Sequence, residues 1–189
     1  MGIILASKSP RRRELLENAG ITNFMILPAR GEEVIQPGLG PDETVISLAL
    51  QKAREVAALY PGDIVIGADT LVYLDGMPLG KPKDADDAVR ILHTLSGRKH
   101  TVYTGIAIAH KGMEHTGFEQ TDVYFSRLSD RAIRQYVATG EPLDKAGAYG
   151  IQGRAAAFIG RVDGDYTNVI GLPMPRLLAM LNEIGFSTF

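Results

Sequence analysis

The sequence contains no cysteine in 189 residues, so disulfides, zinc–thiolate centres and cysteine nucleophiles are all excluded. No apolar run approaches the roughly 20 residues of a membrane span. The pattern G-x-x-x-x-G-K-[ST] is absent, which removes a P-loop nucleotide site. A net charge of -2 argues against nonspecific nucleic-acid binding as the main task. There is no internal repeat, linker or low-complexity tract. The chain opens on an apolar strand without a charged leader, a long apolar region or a cleavage site, which predicts a cytoplasmic protein. What is present is 45% hydrophobic and 22% charged, enough for one domain over residues 1–189 with a sizeable core.

Periodicity and turn chemistry predict the elements in order. A short strand at Ile3–Ala6 leads into a helix at Pro10–Ala19, stopped by Gly20, and then a strand at Phe24–Leu27. A polar loop, Ala29–Pro41, precedes a long helix at Asp42–Leu59. The run Ile64–Ala68 is too short for a helix and reads as a buried strand, interrupted by Asp69 and Thr70 and resumed at Leu71–Leu74 toward a turn at Asp75-Gly76. Asp84 caps a helix in which Ala88, Ile91, Leu92 and Leu95 keep helical spacing up to Gly97. Extended segments at Thr101–Ala109 and Gly117–Phe125 flank a hairpin turn at His110–Gly112, and a helix follows at Ser129–Thr139. Strands are expected near Ala155–Val162 and Tyr166–Ile170, before a final helix marked by Met174, Leu177, Leu178 and Leu181. Helices interleave with single strands and hairpins, which predicts an α/β fold with a mixed, twisted sheet and flanking helices.

The segment Ser7-Lys8-Ser9-Pro10-Arg11-Arg12-Arg13 carries four positive charges within six residues at a helix start. Pro10 suits the first helical turn and Ser9 suits the N-cap. Cations at a helix N-terminus oppose its dipole, so an anion such as a phosphate chain is expected to compensate them. The preceding strand strengthens this, because α/β sheets bind ligands at the carboxyl ends of strands.

Other polar residues fall in apolar places. Lys52 lies within the stripe formed by Val45, Ala49 and Val56; either its ammonium reaches water or it is aimed inward at an anion. Asp69 ends a run of small and apolar residues, where a carboxylate must be paired, metal-bound or facing a cleft. Lys81 precedes Pro82 in an extended segment. Asp144–Gly153 is glycine-rich but interleaved with Ala146, Ala148, Tyr149 and Ile151, a pattern that admits close approach to a ligand. The four histidines are scattered without ligand spacing and read as surface or packing residues. Cations together with Glu33 and Asp69 suit a polyphosphate and a divalent metal, and oxygen ligands favour Mg²⁺ or Mn²⁺ over zinc.

Ser7-x-Ser9-Pro10-Arg11-Arg12, Glu33, Lys52, Gly67-Ala68-Asp69-Thr70, Lys81-Pro82, Leu95-Ser96-Gly97 and Asp144–Gly153 together resemble the Maf family of nucleoside triphosphate pyrophosphatases, in order and over nearly the whole chain. The resemblance implies the α/β architecture of the inosine-triphosphate pyrophosphatases, with two lobes around a cleft. It implies hydrolysis of a nucleoside triphosphate to the monophosphate and pyrophosphate with a divalent cation, a homodimer, and a house-cleaning role with inhibition of septum formation. Arg11, Thr70 and Gln152 match the branch that acts on dTTP and UTP. No motif position departs from the family pattern, and Lys8 falls at a variable one.

In that frame, Ser7, Ser9, Arg12, Lys52 and Lys81 hold phosphates, and Arg11, Thr70 and Gln152 select the base. Glu33 helps bind metal, and Lys145 falls on either side of this division. Asp69 is the general base or holds the metal that activates water, and the sequence leaves both roles open. A nucleotide-sensing division regulator that acts through a partner protein, and a pyrophosphatase for 7-methyl-GTP, are the rival functions. Neither a nucleic acid nor a membrane is expected as partner.

Overall fold

A computed structural model of the chain describes residues 2–187. The elements run β1 (Ile3–Leu5), α1 (Pro10–Asn18), β2 (Phe24–Ile26), α2 (Pro41–Ala57), β3 (Ile64–Leu74), β4 (Met77–Leu79), α3 (Ala85–Leu95), β5 (Lys99–His110) and β6 (Met113–Phe125). They continue with α4 (Asp130–Val137), β7 (Ile159–Asp163), α5 (Tyr166–Ile170) and α6 (Met174–Glu183). Short 3₁₀ turns at Glu141–Asp144, Ala146–Ala148 and Arg154–Phe158 lie between α4 and β7. The strands form one mixed sheet in the order β2-β1-β3-β5-β6-β7, with β4 paired to β3. β1 is parallel to both neighbours, Ile3 standing opposite Phe24 and Ile64, whereas β4 and β7 run antiparallel to β3 and β6. The α/β fold with a mixed sheet and flanking helices is as the sequence predicts.

The chain forms two compact units. The first holds the described residues up to Thr70, Thr104–Glu119 and those from Gly171; the second holds Leu71–Tyr103 and Gln120–Ile170.

In the first unit, α1 ends in a Schellman motif. Gly20, at φ 80°, donates to the Glu17 carbonyl and Ile21 donates to the Leu16 carbonyl, burying Ile21 beside Leu16. Helix α2 starts after Gly40, whose N–H is taken by the Glu43 carboxylate at 2.9 Å. Ala49, Ala53 and Val56 on its buried face meet Ile4, Val65 and Ala107 of the sheet. This face is made of small residues for a reason visible at two glycines. A Cβ on Gly67 would lie 2.2 Å from the Ala49 carbonyl oxygen, and one on Gly105 would lie 2.2 Å from that of Val45. The helix backbone rests directly on β3 and β5.

The second unit packs α3 and α4 around Leu92, Leu95, Ile133 and Tyr136. Asp84 caps α3 through the Asp87 N–H, as expected, and Ser129 caps α4 through that of Ala132. His100, only 1% exposed, shares a 2.8 Å hydrogen bond with the Tyr149 hydroxyl. It also stands edge-on to the rings of Phe125 and Tyr149. Burial pushes its pKa down to about 4, against the opposing charge of Asp122.

Both predicted hairpin turns are present. Asp75-Gly76 and Lys111-Gly112 place two successive residues at positive φ, the pattern of a type I′ turn. Four details differ from the sequence-based expectations. Asp69 and Thr70 do not interrupt β3, because their side chains find partners without leaving the ladder. Tyr166–Ile170 is helical despite its β-branched residues: Asp165 accepts from the Thr167 N–H at 2.7 Å, and Asn168 is buried donating to the Val102 carbonyl and the Thr121 hydroxyl. Ala155–Phe158 forms a 3₁₀ turn and only Ile159–Asp163 is strand, in keeping with the weak strand preference of consecutive alanines. Ser9 occupies the N-cap of α1 but makes no capping bond with its side chain.

Two stability predictions follow from these contacts. Gly67→Ala must displace helix backbone, so it should cost about 3 kcal/mol, at the upper end of overpacking penalties, read as a lower denaturation midpoint. His100 has a lower pKa folded than unfolded, so below about pH 6.5 the unfolded chain binds a proton that the folded chain refuses. Stability should therefore fall from pH 6.5 to 4 by on the order of 3 kcal/mol from this group. His100→Gln, which keeps a polar partner for Tyr149 but does not titrate, should flatten that part of the profile.

Candidate active site

β1 leads through α1 to β2 on one side, and β2 leads through α2 to β3 on the other. The carboxyl end of β1 is therefore where the strand order reverses, the place where open α/β sheets hold ligands. Ser7 stands there, only 8% exposed, and its Oγ accepts from the Ser9 N–H at 3.3 Å. From the first turn of α1, Arg12 spreads its guanidinium over three acceptors. Nη1 donates to Ser7 Oγ at 3.1 Å, Nη2 to Thr70 Oγ1 at 3.1 Å, and Nε to the Gly171 carbonyl at 2.7 Å. Thr70 Oγ1 also lies 3.0 Å from Thr104 Oγ1 on β5. Burial lowers the Arg12 pKa and the neighbouring Arg11 charge adds to this, whereas Asp69 and Glu33 oppose it; an arginine nonetheless stays charged. Arg11 is half-buried, and Arg13 is exposed and paired with Glu17 at 2.8 Å.

On the face of β3 toward α2, Lys52 reaches inward. Its Nζ lies 2.5 Å from Asp69 Oδ1 and 2.9 Å from Glu33 Oε1, so one ammonium is shared by two carboxylates. Asp69 and Lys52 are largely buried, and Glu33, on the loop before α2, is about half exposed. The anion that Lys52 meets thus belongs to the chain itself. Among the described residues no three His, Cys, Asp or Glu side chains cluster as a metal cage. Two carboxylates already gathered around a cation do fit Mg²⁺, which binds through one or two carboxylates and completes its shell with water and phosphate oxygens.

The remaining candidates belong to the second unit. Lys81 is exposed, and the Gly80 carbonyl just before it accepts from the Gly147 N–H at 3.1 Å. Gly147 has φ 69°, and a Cβ there would lie 3.1 Å from the Val72 side chain, so only glycine fits easily. Lys145 donates to the Glu141 carbonyl and to the Asp144 carboxylate, both at 2.6 Å, which makes it a latch within its own loop. Gln152 is exposed near the end of the glycine-rich stretch.

A family model described as "Maf-like protein" matches residues 2–184. This chain belongs to the Maf family. Its relatives include proteins named dTTP/UTP pyrophosphatase from Symbiobacterium thermophilum, 51% identical over 99% of this chain and 96% of the relative, and from Pelotomaculum thermopropionicum, 51% identical over 98% and 97%. One from Bacillus pumilus is 46% identical over 99% and 98%. A HAM1 protein from Coxiella burnetii shares the fold, with a TM-score of 0.56 at 16% identity over 97% of this chain and 99% of that one.

In this Maf protein the sequence motifs omit two contributors. Thr104 and Gly171 complete the setting of Arg12 and Thr70, yet each is remote in sequence from both. The available signal was a threonine within the extended run Thr101–Ala109; Gly171 carries none until its φ of 124° is seen. No helix among the described residues is long and apolar enough to cross a membrane.

Lysine cannot reproduce the three-way fork of Arg12. Arg12→Lys should lower stability by about 1–3 kcal/mol in denaturant titrations, because Ser7, Thr70 and Gly171 lose donors in a partly buried setting.

Proposed function

We propose that this protein hydrolyses nucleoside triphosphates, with dTTP and UTP preferred, to the monophosphate and pyrophosphate. The observation that carries the reading is Lys52 held between Asp69 and Glu33, on the sheet that also presents the Ser7–Arg12 loop. The relatives named dTTP/UTP pyrophosphatase support the choice of substrate.

Water attacks the α-phosphorus, its proton passes to a carboxylate oxygen of Asp69, and the bond between the α-phosphorus and the bridging oxygen breaks to release pyrophosphate. Ser7, Ser9, Arg12, Lys52 and Lys81 bind the phosphates and offset the charge that grows on the leaving group. A divalent cation, Mg²⁺ or Mn²⁺, bound at Asp69 and Glu33 would supply further neutralisation of phosphate charge and lower the pKa of the attacking water. Lys52 then exchanges carboxylate partners for phosphate oxygens, a role that suits its flexible stem and point charge.

Arg11, Thr70 and Gln152 select the base. Thr70 does so through Arg12, whose guanidinium its hydroxyl already receives, so a change at position 70 acts by reorienting that arginine. Gln152 offers both a donor and an acceptor to a base edge, and an unmatched group there penalises the wrong base.

Asp69→Asn preserves size and the approach of Lys52 but removes the proton acceptor. Turnover of dTTP should fall about 10²- to 10⁴-fold with the circular dichroism spectrum unchanged. A panel of dTTP, UTP, GTP and 7-methyl-GTP with Mg²⁺, assayed for pyrophosphate, tests the substrate class. Wild-type turnover by the purified variant would sink the assignment of Asp69, and tight binding without any pyrophosphate release would sink the enzymatic reading.

A further inference from the structure

Residues 27–40 join β2 to α2 without regular structure, and Glu33 lies near their middle. Leu27 and Ala29 pack against the α2 core, but Val34 and Ile35 are each 61% exposed. Fixing each backbone residue costs about 1–2 kcal/mol, and apolar burial at Val34 and Ile35 does little to offset it. The fixing contacts come from α2 and are polar.

Glu55 Oε1 accepts from the Arg30 N–H at 2.7 Å, and its Oε2 accepts from the Gly31 N–H at 3.0 Å. Gln51 Oε1 accepts from the Val34 N–H at 3.0 Å while its Nε2 donates to the Val34 carbonyl at 2.9 Å, reproducing a strand-like pair with a side chain. Gln51 and Glu55 sit one turn apart with Lys52 between them in sequence, and the backbone groups they grip bracket Glu33. A Cβ on Gly31 would stand 2.9 Å from Glu55 Oε2, so glycine permits the grip. The two N–H bonds also hold the Glu55 carboxyl below its ordinary pKa.

We propose that Gln51 and Glu55 are positioning residues that clamp the loop on both sides of Glu33 and so set its carboxylate beside Lys52 and Asp69. The proposal rests on Glu33 being part of the working site. The clamp fixes a charged group whose own side chain is about half exposed, and it does so from the same helix that supplies Lys52. One helix therefore places the cation and the second carboxylate together.

The test compares Glu55→Ala, Gln51→Leu and Glu55→Gln in the full chain; alanine, leucine and glutamine are all good helix formers, so α2 itself persists. In the protein without metal or nucleotide, hydrogen exchange at the Arg30, Gly31 and Val34 amides should quicken about tenfold in the first two variants, with the β1 amides unchanged. The Mg²⁺ concentration for half-maximal dTTP hydrolysis should rise about tenfold, with kcat at saturating Mg²⁺ near wild type. Glu55→Gln, which retains one acceptor oxygen, should recover part of both effects. In a Glu33→Gln background the clamp variants should add nothing further to the Mg²⁺ requirement. Unchanged exchange, faster exchange with an unchanged Mg²⁺ requirement, or an equal loss in the Glu33→Gln background each overturns the clamp. Failure of the underlying reading is separately visible: Glu33→Gln alone would then leave rate and Mg²⁺ requirement untouched, and the clamp would fall with it.

Discussion

At Gly67 and Gly105 helix α2 comes closer to the sheet than a Cβ would permit, and most of the first unit's chemistry depends on that distance. A helix held off by side chains would move Lys52 outward and lengthen its contact with Asp69, which is 2.5 Å in the observed packing. The same approach forces a small-residue interface of Ala49, Ala53 and Ala107, which gives up buried area per residue in return for a fixed backbone spacing. Val56 and Leu48 restore apolar burial at the flanks of that contact. Packing density and charge placement are thus set by one contact.

Electrostatic balance is maintained locally. The ammonium of Lys52 is shared by Asp69 and Glu33, and the guanidinium of Arg12 is spread over two hydroxyls and a carbonyl. Under the proposed function these two arrangements would respond differently to a phosphate. Arg12 is bound by neutral acceptors and keeps its charge available, whereas Lys52 is bound by charged ones and must loosen them. The first unit therefore carries one cation held by neutral acceptors and one held by carboxylates.

Asp69 and Lys52 were legible in the sequence because each is a charged residue inside an apolar pattern, and burial makes such a residue costly unless it has a partner. The order of elements was legible from periodicity and turn chemistry, down to the cap at Asp84. Tyr166–Ile170 was not: its residue types favour strand, and the contacts that make it a helix reach Val102 and Thr121, far away in sequence. Glu33 by itself looks like any loop acid, and what distinguishes it is its ion pair with Lys52 together with the grips of Gln51 and Glu55 on its neighbours. Arg12 and Thr70 carried a motif, but their bond to one another links positions 58 residues apart, beyond the reach of any local pattern.

Consecutive residues of a strand point to opposite faces, and β3 uses this at its centre. Gly67 and Asp69 face α2, while Thr70 turns to Thr104 and Arg12. Two adjacent letters of the sequence thus address separate sets of partners. Under the proposed function, proton acceptance and base choice fall to neighbouring positions with different direct partners. Drift at position 70 can retune the substrate while position 69 stays fixed. An insertion or deletion of one residue between Ile64 and Asp69 has the opposite outcome, since the reversed parity exchanges the two faces and both roles are lost together.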